Sequence, residues 1–238
     1  MVYSGLLTLF GRSHRMTDDA RGEPRRAGRP LESVLSRARI TTAALALITI
    51  EGYGGFTMSS LARTLQVAPS ALYNHVSSKH EVLQWLEDHV MTMVDVSGFG
   101  SEPWDVAVRR WAWSYRDVFA RHAPLVPLVA VLPVTGAPET LRMYETIAAG
   151  LAGAGVPVES LIPAIVAVES FIFGSALDAN APADIFDTGD LADSSPTFTA
   201  AVLGQDRSTG ERPADVAFRF GLEALLAAVA ATRRGPDA

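Results

Sequence analysis

Between residues 69 and 79 the sequence PSALYNHVSSK sets Ser70, Tyr73, Asn74, His75, Ser77, Ser78 and Lys79 close together. All are hydrogen-bonding groups or cations. The hydroxyls of Ser70 and Tyr73 donate to phosphates or base edges, Asn74 matches an adenine edge, and His75 and Lys79 hold phosphate. The amide groups opening the following helix also attract anions. Together these groups suit the grip of a protein on DNA. The plainer alternative is that Tyr73 and His75 only pack at a helix end.

Such groups must be held by something rigid. Upstream, Thr57 is placed as an N-cap, with Phe56 and Leu61 spaced as a hydrophobic staple, and Leu61, Ala62 and Leu65 face inward. The pattern breaks at Gln66. It restarts with Ala68 as a weak cap and Pro69 at the first helical position, where the missing N–H costs nothing. Val67 and Leu72 form a second staple. Ser78 to Glu81 reads as a capping box opening a helix that runs to about residue 95, with Val82, Leu83, Leu86, Val90, Met93 and Val94 inward. Before all of these, residues 36–51 form a helix with Ile40, Ala43, Ala44, Leu47 and Ile48 on one face, Ser36 as cap and Gly52 as stop. Two short helices joined by a tight turn, the second one polar, make a helix-turn-helix: the first braces, the second enters the major groove.

The chain has 238 residues, a net charge of −6 and 48% hydrophobic residues, so it is globular. An acidic total argues against a nucleic-acid partner until the chain is divided. Residues 1–79 carry 10 basic and 5 acidic side chains, whereas residues 80–238 carry 10 and 21. A polyanion therefore meets the front end only. Residues 1–32 are expected to form a flexible basic arm, with Arg12, Arg15, Arg21, Arg25, Arg26 and Arg29, which either touches DNA or merely solubilises the chain. The absence of cysteine excludes disulfides and thiolate metal sites and suits a cytoplasmic protein. The apolar run near the start lacks a preceding basic residue and makes a poor signal peptide, and Met16 offers a second start. No uninterrupted apolar run reaches the ~18 residues of a membrane span. Serine-hydrolase, Walker, zincin and paired-carboxylate patterns are missing, which argues against an enzyme.

Residues 36–82, including RITTAALALITIEGYGGFTMSSLARTL and VAPSALYNHVSSKHEVL, resemble the N-terminal domain of TetR-family transcriptional repressors. FRFGLEALLAAVAA, residues 218–231, is similar to the closing helix of the tetracycline-repressor branch. The resemblance implies an all-α protein: a three-helix helix-turn-helix DNA-binding domain at 33–80, then a helical ligand-binding and dimerisation domain at 81–238. It places DNA contacts at Thr57, Ser59, Ser70, Ala71, Tyr73, Asn74, His75 and Lys79, with Arg39 a lesser candidate on the backbone. Ala71 offers only a methyl group, for a thymine methyl. Where the family usually has glycine, this chain has Gln66. Either Gln66 takes positive φ, at about 1 kcal/mol, or the turn differs.

The back half is expected to hold further helices at 104–121, 124–132, 138–154, 157–178 and 213–233, with 97–103 a linker and 181–212 a long loop with room for a helical turn. The resemblance implies a homodimer on a double-stranded operator, joined through the helices at 157–178 and 213–233, where Ala164, Ala167, Gly174, Ala176, Ala227 and Ala228 permit close approach. It also implies a small, largely apolar effector, the alternative being a ligand-independent DNA-binding regulator or an activator; no cofactor or metal is expected, and the pocket candidates are Trp85, Trp111, Tyr115, Phe119, Met143, Tyr144, Glu169 and Phe173. Trp113 and Phe171 are further bulky residues there. Glu169, set in AIVAVESFIFG, needs a partner: an arginine across the dimer, a helix end, or a ligand donor.

Overall fold

Ser36 does begin the first helix: its hydroxyl accepts from the Arg39 N–H, and α1 runs Arg37–Gly55. The expected stop at Gly52 survives as a kink, with φ 70°, and one more turn follows it. The computed structural model describes residues 35–182, 184–205 and 210–233, so the expected basic arm lies outside the described residues. All regular structure among them is helical.

The helix-turn-helix consists of α2 (Met58–Leu65) and α3 (Pro69–Tyr73). Thr57 caps α2 through a reciprocal box: its hydroxyl accepts from Ser60 N–H at 3.0 Å, and Ser60 Oγ accepts from Thr57 N–H at 2.8 Å. Phe56, Leu61 and Leu72 are fully buried, so the staple residues enter the core. Gln66 ends α2 in the left-handed region, at φ 58° and ψ 41°, the sole non-glycine residue at positive φ among those described. The glycine-type turn is therefore kept, at a strain of about 1 kcal/mol.

Ser78 caps α4 (Lys79–Met91), but the Glu81 carboxylate reaches past the cap to accept from the N–H and hydroxyl of Ser77. α4 stops four residues earlier than its apolar spacing implied. Thr92, Met93 and Val94 each donate to the carbonyl three residues back, and this tighter winding turns Met93 outward, 41% exposed, instead of inward. α5 (Trp104–Arg121) leads through a short 3₁₀ turn, Ala123–Leu125, into α6 (Val126–Val129). α7 (Pro138–Gly153) and α8 (Val158–Asp178) follow. The segment expected to be a long loop contains a 3₁₀ stretch, Gly189–Ser194, and a full helix, α9 (Pro196–Leu203), opened by proline at N1 and without a buried residue. α10 (Pro213–Thr232) closes the chain.

Residues from Leu35 onward make one unit. α4 packs on both α1 and α7, so the boundary expected after residue 80 falls inside a helix shared by the two halves. α5 packs on α7 and α8, and α8 on α10. Arg116 of α5 ties three of these helices together. It is fully buried, donates to Asp215 of α10 at 2.7 Å and to Ser175 of α8 at 2.9 Å, and lies over the rings of Trp113 and Phe218.

Candidate DNA-binding surface and interior polar cluster

The helix-turn-helix presents most of the expected contact residues to solvent. Thr57, Ser59, Ser70, Tyr73, Asn74 and His75 are exposed, while Ala71 and Lys79 are part-buried. The local sequence explains the layout. Leu72 and Val76 anchor the segment inside, which leaves Tyr73, Asn74 and His75 outside. α3 ends at Tyr73, so Asn74 and His75 sit on the turn after the recognition helix and not on the helix itself. The chain leaves the helix there because Val76 must reach the core and Ser78 must cap α4.

The Lys79 ammonium stands 4.0 Å from the Tyr53 ring centre and 5.1 Å from that of Phe56, a cation held in place by aromatic faces. Arg39 donates to the Leu65 carbonyl at the end of α2, so it braces the turn from behind. Thr57 spends its hydroxyl on the cap. Arg63, in the last turn of α2, is an exposed cation that the sequence reading passed over; a lone arginine inside LARTL was its signal.

Behind this head, α4, α5, α7 and α8 enclose a polar and aromatic cluster. Glu169 of α8 accepts hydrogen bonds on one oxygen from Tyr115 (2.7 Å) and Tyr144 (2.6 Å). Neither arginine nor helix end answers it; two phenols do. Burial and the carboxylate push both phenols above their ordinary pKa, so they stay protonated donors. Tyr115, Phe119 and Phe173 pack edge to face with centroids 5.1–5.5 Å apart, and Trp111 lies 5.9 Å from Tyr115. Met143 is buried nearby on α7. Trp85 does not join the rings: it lies under the Arg37 guanidinium, 5.1 Å away.

Two acidic residues on α4 escaped the sequence reading. Glu87 is 2% exposed, and its Oε2 has no hydrogen-bond partner. Burial, then the charges of Asp88 and Glu169, raise its pKa to about 7. Asp88 accepts from the backbone N–H groups of Glu139 (2.6 Å) and Thr140 (3.2 Å), capping α7, and pairs with Arg37 of α1 at 3.2 Å. Their signal was position: Glu87 falls on the buried stripe of α4 between Leu83 and Val90. Among the described residues no group of three or more His, Asp or Glu is arranged to hold a metal.

The comparisons with known proteins agree with this layout. Residues 40–85 match the family model of bacterial regulatory proteins of the tetR family, and residues 99–233 match that of the tetracyclin repressor-like C-terminal domain. The chain belongs to the TetR family. An HTH-type transcriptional regulator of Saccharopolyspora erythraea is 30% identical over 60% of this chain and 60% of its own length. The class E tetracycline repressor protein of Escherichia coli is 25% identical over 81% of this chain and 89% of its own. The crystal structure of the TetR-family protein ActR from Streptomyces coelicolor in complex with actinorhodin superimposes with a TM-score of 0.70 at 25% identity, over 87% of this chain and all of that one. The chain is thus an all-α transcriptional regulator with a DNA-binding head and a ligand-binding C-terminal domain.

In this TetR-family chain, α8 and α10 leave an apolar face bare. Val158, Ile162, Val166 and Leu177 of α8 and Val216 and Phe220 of α10 are 42–81% exposed. Ala167, Gly174, Ala227 and Ala228 share that exposure, but Ala176, expected among them, is fully buried within the chain. By length and mean hydropathy, 21 residues and 1.8, α8 does reach what a membrane span requires, although Glu159 and Glu169 interrupt it; here it packs on α5, α7 and α10. A cleft of about 800 Å³ lies between the segment after α8, α9 and the start of α10, and a groove of about 230 Å³ between α8 and α10. None of the eight expected pocket residues lines either of them.

Proposed function

We propose that this TetR-family regulator is a ligand-responsive repressor. It binds a pseudo-palindromic operator as a homodimer and is released by a small molecule with a largely apolar body. The observation that carries the reading is the exposed row Ser70, Tyr73, Asn74 and His75 on a braced helix-turn-helix, joined through α4 to an interior with polar groups still unpaired. Ser70, Tyr73, Asn74 and His75 read or position the DNA, with Thr57, Ser59, Ala71 and Lys79 at the edges of the contact. The bare face of α8 and α10 supports the dimer: an apolar patch of this kind on two long helices suits a four-helix bundle across a two-fold axis. A dimer holds two recognition helices about 34–36 Å apart, one turn of DNA. A ligand that prefers a different spacing releases the operator in proportion to its differential affinity.

The test is binding to DNA flanking the gene for this chain, across a salt series. Tight, salt-sensitive binding to a pseudo-palindrome is expected, weakened by about 1–3 kcal/mol in Tyr73→Ala. Operator binding that is unchanged in both Tyr73→Ala and Asn74→Ala sinks the assignment of these contacts. A monomer at the concentration that saturates the operator sinks the dimer.

A further inference from the structure

The interior cluster carries more chemistry than a fold requires. Glu87 neither caps a helix nor pairs with a base. It is almost fully buried, and one of its oxygens has no partner. The charges that act on it, Asp88 and Glu169, are both negative. Arg37 of α1 pairs with the neighbouring Asp88. An uncompensated buried carboxylate is among the more expensive things a protein interior holds.

The surroundings specify what would satisfy it. Glu169 of α8, whose charge reaches Glu87, is the second carboxylate, with Tyr115 and Tyr144 donating to its Oε1 and so fixing its orientation. Glu169, Tyr144 and Phe173 keep part of their surface accessible. Beside it Trp111, Tyr115, Phe119 and Phe173 pack ring against ring, and the Trp111 Nε1–H is also buried without an acceptor. Two carboxylates repel an anion. Aromatic faces attract a cation and stack on flat rings. A bare metal ion fits less well, since no third His, Asp or Glu among the described residues completes a ligand set.

We propose that Glu87 and Glu169 form the recognition end of an effector site for an organic ammonium: a protonated amine on an aromatic or polycyclic body. The ammonium lies between the two carboxylates, and the body lies along the ring wall. The inference rests on the reading that the C-terminal domain takes a small effector, and it adds the sign of that effector's charge.

The test uses two fluorescent dyes with one tricyclic scaffold and opposite charge, 9-(aminomethyl)anthracene (a protonated primary amine, cationic) and anthracene-9-carboxylate (anionic), titrated by fluorescence anisotropy against the full chain. The cationic dye is expected to bind at least about tenfold tighter, the scale of a charge-assisted hydrogen bond. Glu87→Gln and Glu169→Gln should each weaken the cationic dye by about tenfold or more and leave the anionic dye unchanged or tighter. Both variants should keep the wild-type circular dichroism and operator affinity, which separates loss of the site from loss of the fold. Equal binding of the two dyes, or cation binding indifferent to both substitutions, overturns the proposal, as does binding that needs added magnesium. Binding of neither dye also overturns it. In that case an operator-release screen with neutral and anionic aromatics decides the parent reading: release by any of them keeps an effector site of another class, and release by none removes both.

Discussion

The head and the C-terminal domain satisfy their polar groups in different ways. In the head the capping partners are close in sequence: Thr57 with Ser60, Ser36 with Arg39, Ser78 with Glu81. In the C-terminal domain they are far apart: Tyr115 with Glu169, Arg116 with Ser175 and Asp215, Asp88 with Glu139. The buried side-chain atoms left without a partner among the described residues follow the same division. Glu87 Oε2, Trp111 Nε1, Arg116 Nη2, His122 Nδ1 and Thr140 Oγ1 all lie from the middle of α4 onward, and none lies in the head. The head is finished as folded, and what it recognises meets it from outside. The interior behind it is closed by distant pairs and still has bonds to make.

The largest effect should come from cutting a long-range pair. Arg116→Ala removes a fully buried guanidinium and strips Asp215 and Ser175 of a donor. Unfolding in urea should show a loss of about 3–5 kcal/mol. A loss under about 1 kcal/mol would put this contact with ordinary surface pairs and dissolve the contrast.

Next comes Glu87. Its pKa is raised from 4.5 to about 7 by folding, so between those values the folded state holds a proton that the unfolded state has released. The contribution of Glu87 to wild-type stability therefore falls as pH rises from 4.5, and its penalty is complete above about 7. Glu87→Gln lacks this penalty. The difference in unfolding free energy, variant minus wild type, should grow by about 3 kcal/mol from pH 4 to pH 8.5. A flat difference would mean that Glu87 is not an uncompensated acid.

The head offers smaller changes. Thr57→Ala loses a reciprocal cap and should cost about 1–2 kcal/mol, read by amide exchange in α2. Gln66→Gly relieves the positive φ and should add up to about 1 kcal/mol. If Thr57→Ala cost more than Arg116→Ala, the ranking of distant over local contacts would reverse.

The same division marks what was legible in the sequence. The N-caps Ser36, Thr57 and Ser78, the Phe56–Leu61 staple and Pro69 at N1 were readable, because each joins residues within a few positions of one another, and Gln66 was narrowed to a positive φ or a different turn. Every α-helix but α9, and most boundaries, followed from apolar spacing. α9 was missed because a helix that buries nothing has no apolar period to show. The candidate interior site was half legible. The aromatic residues and Glu169 stood out by type, but their pairings did not, since nothing in a linear sequence links Tyr115 to a residue 54 positions away. Glu87 and Asp88 gave no sign in the sequence of their burial, which comes with the packing of α4 on α1 and α7.

Glu87 and Asp88 are consecutive, and that has a mechanical consequence. Asp88 is a three-way joint: one carboxylate holds Arg37 of α1 and the first amides of α7. A rigid helix cannot turn one residue without its neighbour. Any roll of α4 that brings Glu87 to a new partner swings Asp88 by the same angle, and the joint must let go of either the head or α7. α4 then works as a crankshaft, with its two throws set side by side.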